Sequence, residues 1–409
     1  IDPSPEWTGT WRDPRFTPPS DGGRPENGLT GTIYQANCCN TAIKVPASDG
    51  KMRLWRNTSV ATQSAGATAT LADGSLGYEY DTDMDNGFRP AGLIRLSTTD
   101  TVSDEKLLDW GTTVGVGPVT HNLTMYRAPS GALVFGAGTV QWTWGLDANH
   151  DGPSAGNPAE DSRMQQATLN LFADMGVQPT ARQANLVAAT QSTDTSAPTS
   201  AISAPAADAT LTGGSAATIS GTATDVGGGQ VGGVDVSTDN GATWHPANGR
   251  ASWSYTWSVQ GFGPTVIKVR ATDDSGNIQG AVTSRTVNVT CPCTAFGATA
   301  PFVTSTNDSS PVTLGVKFRT DVAGSVTGVR FYKGAGNAGT HIGSLWTSSG
   351  VLLAQGTFVN ETASGWQTLM FSSPVAIDPD TTYVVSYFAP VGRYAADLNA
   401  FNGRGVDRS

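Results

Sequence analysis

The sequence predicts a multidomain, mainly β protein that opens on part of an α/β layer and continues into two β-sandwiches. Three observations carry this. Residues 131–178 read as strand, loop and helix: GALVFGAGTVQW enters a Gly-rich turn, and EDSRMQQATLNLFADMG follows. Beyond residue 178 the texture changes to Gly-, Ser- and Thr-rich runs of alternating polarity, as antiparallel strands require. Gly occurs 49 times and Pro 23 times, which fits short strands joined by many turns. An α/β layer needs several βα units, and residues 1–178 show little more than the last of them. The chain is therefore expected to be a piece of a longer polypeptide, with the rest of that polypeptide as a partner.

In residues 1–70, Pro- and Gly-rich loops surround strand candidates at 29–36 and 51–56. Residues 76–97 place two strand-like runs around an acidic loop. Further strands are expected at 121–127 and 132–144, with Ala128-Pro129-Ser130-Gly131 as the turn between them. A helix is expected over 162–175. Met164, Ala167, Leu171, Phe172 and Met175 share one face, Ser162 with Gln165 fits a capping box, and Gly176 fits the position after the C-cap. Residues 179–200 read as a linker. Residues 201–290 hold about seven short alternating runs, the pattern of a small antiparallel sandwich, with Trp253, Tyr255 and Trp257 on one face. Within it, Ser237-Thr-Asp239-Asn240-Gly241-Ala-Thr243-Trp244 resembles an Asp-box hairpin, with Asp239-Asn240-Gly241 supplying the turn. Residues 291–409 form a third unit whose strand spacing suits a jelly-roll-like sandwich, without a closing strand at its end.

The net charge is −10, with six Lys against 18 Arg, which argues against nucleic acid and anionic membrane surfaces as partners. No run of apolar residues is long enough to span a bilayer. The four cysteines form two close pairs, Cys38-Cys39 and Cys291-Pro292-Cys293. Neither has metal-site spacing, so disulfides in a secreted or cell-surface protein are expected, with local or long-range pairing both open.

Two acidic loops place oxygen side chains at alternate positions before a Gly: Asp81, Asp83 and Asp85, then Asp147, Asn149 and Asp151. That pattern suits Ca²⁺, but neither loop has the carboxylate that completes an EF-hand. His121 and His150 lie near strand ends, and Glu26 lies on a loop entering a strand, where a pairing with Arg24 or Arg12 is expected. Sequence motifs of a nucleophile elbow, a P-loop or a dinucleotide fingerprint are absent. In the third unit, Trp366 and Tyr394 are the candidates for an exposed sugar platform.

The stretches GTWRDPRF…RPENGLTGTIY, GYEYDTDMDNGFRPAGLIRLS, THNLTMYRAPSGALVFGAGTVQWTWGLDANHD and MQQATLNLFADMGVQP resemble the C-terminal-like domain of the N,N-dimethylformamidase large subunit. The resemblance covers residues 1–178. It implies a glutamine-amidotransferase-like α/β fold and C–N hydrolysis with iron held by Tyr and carboxylate ligands. Those ligands would lie upstream of Ile1. Residues 201–290 resemble bacterial Ig-like spacers. Cys291-Pro-Cys293, LGVKFRTDVAGSVTGVRFYKGAGNAGTHIGSLW, ETASGWQTLMFSSPVAI and TTYVVSYFAPVGRYA resemble a bacterial domain of unknown function whose members continue past the equivalent of Ser409. The expected function is a secreted or cell-surface modular protein, non-catalytic in this fragment, engaging polysaccharide or cell-envelope glycan. The alternative is a fragment of a metal-dependent amidohydrolase acting on non-peptide C–N bonds.

Overall fold

Short β-branched runs cut by Gly and Pro satisfy their backbones by pairing with neighbours, and hairpin-length connections make those neighbours antiparallel. The structure, a computed structural model, follows that rule. It describes residues 12, 23–37, 39–109, 111, 113–150, 159–261, 263–290, 294–320 and 323–397. It is mainly β, and the chain divides into two units, Ile1–Cys293 and Thr294–Ser409.

The first unit begins with α1 (Asn27–Thr30), β1 (Ile33–Asn37), β2 (Lys44–Pro46), α2 (Ala47–Gly50) and β3 (Thr68–Thr70). Next come β4 (Glu79–Thr82), β5 (Ile94–Arg95), β6 (Thr99–Leu107) and β7 (Val114–His121). β8 (Thr124–Arg127), β9 (Leu133–Gly136) and α3 (Ser162–Asp174) follow. The strands form a sheet in the order β4-β1-β6-β7, a β5-β8-β9 sheet and a β2-β3 ribbon. Every pairing among them is antiparallel.

The expected glutamine-amidotransferase-like α/β layer is therefore not supported. The β6–β7 and β8–β9 connections are too short for a crossover helix, and α3 follows the last strand instead of linking two. The expected strand at 132–144 also stops early. Gly138 takes a φ of 61°, ending the extended run, and Thr139 caps a 3₁₀ turn at Val140–Gly145 by accepting from the Gln141 N–H. The 51–56 candidate is a 3₁₀ turn at Arg53–Trp55 rather than a strand. Met52 and Leu54 alternate as a strand's buried face would, but Trp55 is buried directly beside Leu54, which one face of a strand does not allow.

α3 forms where the 3.6-residue period placed it. Its N-cap is Asp161, not Ser162: the Asp161 carboxylate accepts from the Arg163 N–H at 2.9 Å. Gly176 has the expected left-handed φ, 80°. Met164, Ala167 and Leu171 join Trp55, Leu76, Tyr80 and Ile94 in one core, whereas Phe172 and Met175 are exposed.

The second part of this unit is a two-sheet sandwich. It runs β10 (Thr199–Ala204), β11 (Thr210–Thr212), β12 (Ala216–Thr224), β13 (Val231–Ser237) and β14 (His245–Pro246). It continues with β15 (Asn248–Gly249), β16 (Ser252–Ser258), β17 (Gly263–Asp273) and β18 (Thr283–Thr290). The orders are β10-β12-β16-β15 and β11-β18-β17-β13-β14. Trp253 and Trp257 fill the core with Ile219, Val236 and Ile267, and Tyr255 packs against them as the alternation predicts. Gly221 faces Trp253, where a Cβ would collide with the indole and the Ala201 carbonyl.

The two parts are joined by ionic contacts. Arg89 bridges Asp83 at 2.7 Å and Asp235 of β13 at 3.2 Å. Arg250 reaches Asp49 at 2.9 Å and the Arg95 carbonyl at 2.9 Å. The Arg53 N–H donates to Asp274 at 2.8 Å.

The second unit holds β19 (Val312–Phe318), β20 (Gly324–Lys333), β21 (Ile342–Thr347), β22 (Leu352–Thr357), β23 (Gly365–Ile377) and β24 (Tyr383–Ala389). They form a β19-β24-β21-β22 sheet and a β20-β23 ribbon. Val329, Phe331 and Leu369 of the ribbon pack with Phe358, Val385 and Tyr387.

Candidate functional site

Antiparallel pairing puts Tyr34 of β1 opposite Asp81 of β4, so their side chains share a face, as does Thr32 two residues earlier. The Thr32 hydroxyl donates to Asp81 Oδ2 at 3.1 Å. Asp81 Oδ1 is buried without a partner. Glu26, the N-cap residue of α1, pairs with Arg12, and its Oε1 also accepts from the Tyr34 N–H at 3.3 Å. Arg12 is one of the two partners, with Arg24, that the sequence offered. Glu26 Oε2 is likewise buried and unpartnered. Burial, and then the negative charge of Glu79, push the Asp81 carboxyl up to about 6. Burial followed by Glu79 and Glu105 raises the Tyr34 phenol. This face gathers Glu26, Tyr34 and Asp81, with the Arg12 guanidinium paired to Glu26.

The first acidic loop sends its carboxylates in different directions. Asp83 gives both oxygens to guanidinium groups: Arg89 at 2.7 and 3.0 Å, Arg95 at 2.7 Å. Burial alone would raise its pKa, but Arg89 and then Arg95 outweigh burial and lower it. Asp85 meets His245 Nδ1 at 2.7 Å. In the second loop, Asp147 accepts from the Asn149 N–H at 2.7 Å, while Asp151 lies outside the described residues. Sequence reasoning missed a different grouping. Asp194, Asp225 and Asp273 bring carboxylate oxygens within 4.8 Å of one another, from the linker, the end of β12 and the end of β17. No local pattern links three residues so far apart.

The iron site implied by the first resemblance can be tested against these residues. Among the described residues, the Asp194 group is the one set of three His, Cys, Asp or Glu ligand atoms that converges, and it lies where the linker meets the sandwich.

His121 ends β7 and is fully buried; its Nε2 lies 3.0 Å from the Ala137 carbonyl, and burial lowers its pKa to about 4. It is therefore neutral at pH 7. His150 stacks on Trp144 at 4.5 Å. The Asp-box resemblance holds locally: Asp239 accepts from the Thr243 N–H and hydroxyl and from the Ser237 hydroxyl, and Asn240 and Gly241 take φ of 60° and 95°. Cys38, Cys291 and Cys293 lie outside the described residues, so the expected disulfides have no structural account here.

In the second unit, Trp366 begins β23 opposite Tyr332 of β20. The rings meet edge-on, 5.6 Å apart, on the face of the ribbon opposite the buried Phe331 and Leu369. The indole N–H donates to the carbonyls of Ala298 and Thr299 at 3.1 and 3.2 Å, which fixes the ring. Thr368 and Met370 continue this outer face, and Met370 is 63% exposed. Tyr394 is half-buried in the segment that bridges to Thr306, and no ring contact joins it to Trp366 among the described residues.

No curated protein matches the chain. Fibronectin(III)-like modules of Clostridium thermocellum CbhA align at 21% identity over 22% of this chain and 94% of theirs, with a TM-score of 0.19. The dimeric latent PorU of Porphyromonas gingivalis aligns at 8% identity over 89% of this chain and 26% of its own, with a TM-score of 0.18. Neither likeness is close enough to carry an argument. Three family matches are informative, and together they put a segment described as N,N-dimethylformamidase beta subunit-like, C-terminal, at residues 2–155, a bacterial Ig domain at 198–265 and a domain of unknown function, DUF4082, at 298–409, in the order the sequence motifs indicated.

Proposed function

We propose that this chain is part of a modular extracellular bacterial protein whose module at residues 294–409 binds polysaccharide of the cell envelope or its surroundings. The outer face of the β20–β23 ribbon carries this reading. Tyr332 and the immobilised Trp366 lie there with Thr368 and Met370, on a surface the core does not need. Rigid aromatic rings lose little entropy on binding, and their faces suit the apolar side of a pyranose. The bacterial Ig domain before it is consistent with a spacer role. Pull-down on insoluble cell-wall polysaccharide tests this. The full chain should be retained, and Tyr332→Ala and Trp366→Ala should reduce retention. Thermal melts must show both variants folded. Retention unchanged in both folded variants would reject the site.

The Glu26–Tyr34–Asp81 face favours a second reading: the first module contributes carboxylates to hydrolysis of a non-peptide C–N bond, as its family name suggests. A carboxyl held near 6 is suited to take a proton from water close to neutral pH. Release of dimethylamine from N,N-dimethylformamide by the iron-supplemented chain, lost in a folded Asp81→Asn variant, is the expected outcome. Equal turnover in wild type and variant would remove Asp81 from the reaction.

A further inference from the structure

Arg330 sits on β20 opposite Thr368 and diagonal to Trp366. Its guanidinium carbon lies 4.7 Å from the centroid of the Trp366 ring. Among the described residues, no carboxylate, carbonyl or hydroxyl accepts a hydrogen bond from this guanidinium, whereas Arg89, Arg95, Arg250 and Arg270 each have such acceptors. Stacking occupies the flat face of a guanidinium and leaves its N–H groups, which point outward in the plane, free. Burial also pulls the Arg330 pKa below the usual arginine value, the mark of a cation stripped of part of its water without a counter-ion. The geometry is a rigid donor fork with its orientation set and its acceptor missing.

The natural complement of such a fork is a planar carboxylate taken bidentately. Residues 294–409 carry seven Lys or Arg and seven Asp or Glu, so this module lacks the acidic excess of the whole chain and does not repel a polyanion. The donor lies on a sheet face beside aromatic rings. Peptides that bind β structure instead add along a strand edge. Resting on the polysaccharide reading above, we propose that the outer face of β20–β23 recognises a carboxylate-bearing polysaccharide, a uronic acid polymer, with Arg330 gripping the carboxylate and the sugar lying along Thr368 and Met370.

Affinity electrophoresis and calorimetry of the full chain, with polygalacturonate, a neutral soluble glucan and poly-glutamate, test this. The chain should bind polygalacturonate more tightly than the other two polymers. Arg330→Gln should weaken that binding about tenfold or more, and Arg330→Lys should recover only part, because it keeps the charge but not the fork. Melting curves confirm that both variants are folded. Equal binding of glucan and polygalacturonate, unaffected by Arg330→Gln, overturns the carboxylate assignment but leaves the polysaccharide reading standing. Equal binding of poly-glutamate overturns the choice of a sugar. Binding to no polysaccharide, cell-wall material included, overturns both.

Discussion

Asp81 and Asp83 stand two residues apart in the chain and meet opposite environments. Asp83 has two guanidinium partners and is buried with them, so removing it leaves Arg89 and Arg95 without their shared counter-ion. Asp83→Ala should cost about 3–5 kcal/mol of unfolding free energy, measured by denaturant titration. Asp81 has a neutral partner, one unsatisfied oxygen and a pKa pushed up to about 6. A carboxyl whose folded pKa lies above its unfolded value favours folding while protonated and loses that contribution as pH rises through the folded value. Asp81→Asn should therefore stabilise the first unit at pH 7, by on the order of 2 kcal/mol, and the gain should vanish below about pH 4. A loss of stability at pH 7 would mean that Asp81 has a charged partner it does not show. Both residues were visible in the sequence as an alternating acidic loop. Their separate fates were not, because local spacing records which residues face together and not which cations reach them.

At the scale of elements, α3 was the most legible part of the chain because its period, cap and terminal glycine all agree. Asp161→Ala removes the side chain that accepts from the Arg163 N–H and should cost about 1 kcal/mol, measured by thermal melting. Phe172→Glu, on the exposed side, should change stability by less than about 0.5 kcal/mol. The hairpin at Ala128–Gly131 was equally legible, since Gly131 takes a φ of 88° and the Ala128 N–H closes onto the Ala132 carbonyl at 2.8 Å. The strand at 132–144 was misread because the apolar run continues past Gly138, where the backbone turns. Composition favoured a strand there, and one backbone angle decided otherwise.

At the scale of the whole molecule, Arg89, Arg250 and His245 join the first module to the Ig-like sandwich inside the first unit. The hydrogen bond to Asp85 raises the His245 pKa; burial works against it and the charge of Asp85 adds to it. A histidine with a raised folded pKa contributes stability that is fully present below its unfolded value, near 6.5, and lost as pH rises through the folded value. His245→Gln should lower the melting temperature of this unit at pH 5.5 and have a smaller effect at pH 8.5. An equal effect at both pH values would show that the pair contributes no charge interaction.

The sequence by itself determined the order of modules, the mainly β character, the helix at Ser162–Asp174 and the turn chemistry of the Asp-box hairpin. These depend on contacts between residues near one another in the chain, and periodicity, caps and glycines record such contacts. Only the tertiary structure decided that the opening module is antiparallel, that Arg89 reaches an aspartate 146 positions away, and that Arg330 lies on an indole with no acceptor among the described residues. Those outcomes depend on which distant surfaces exclude water together, and a one-dimensional pattern does not encode that.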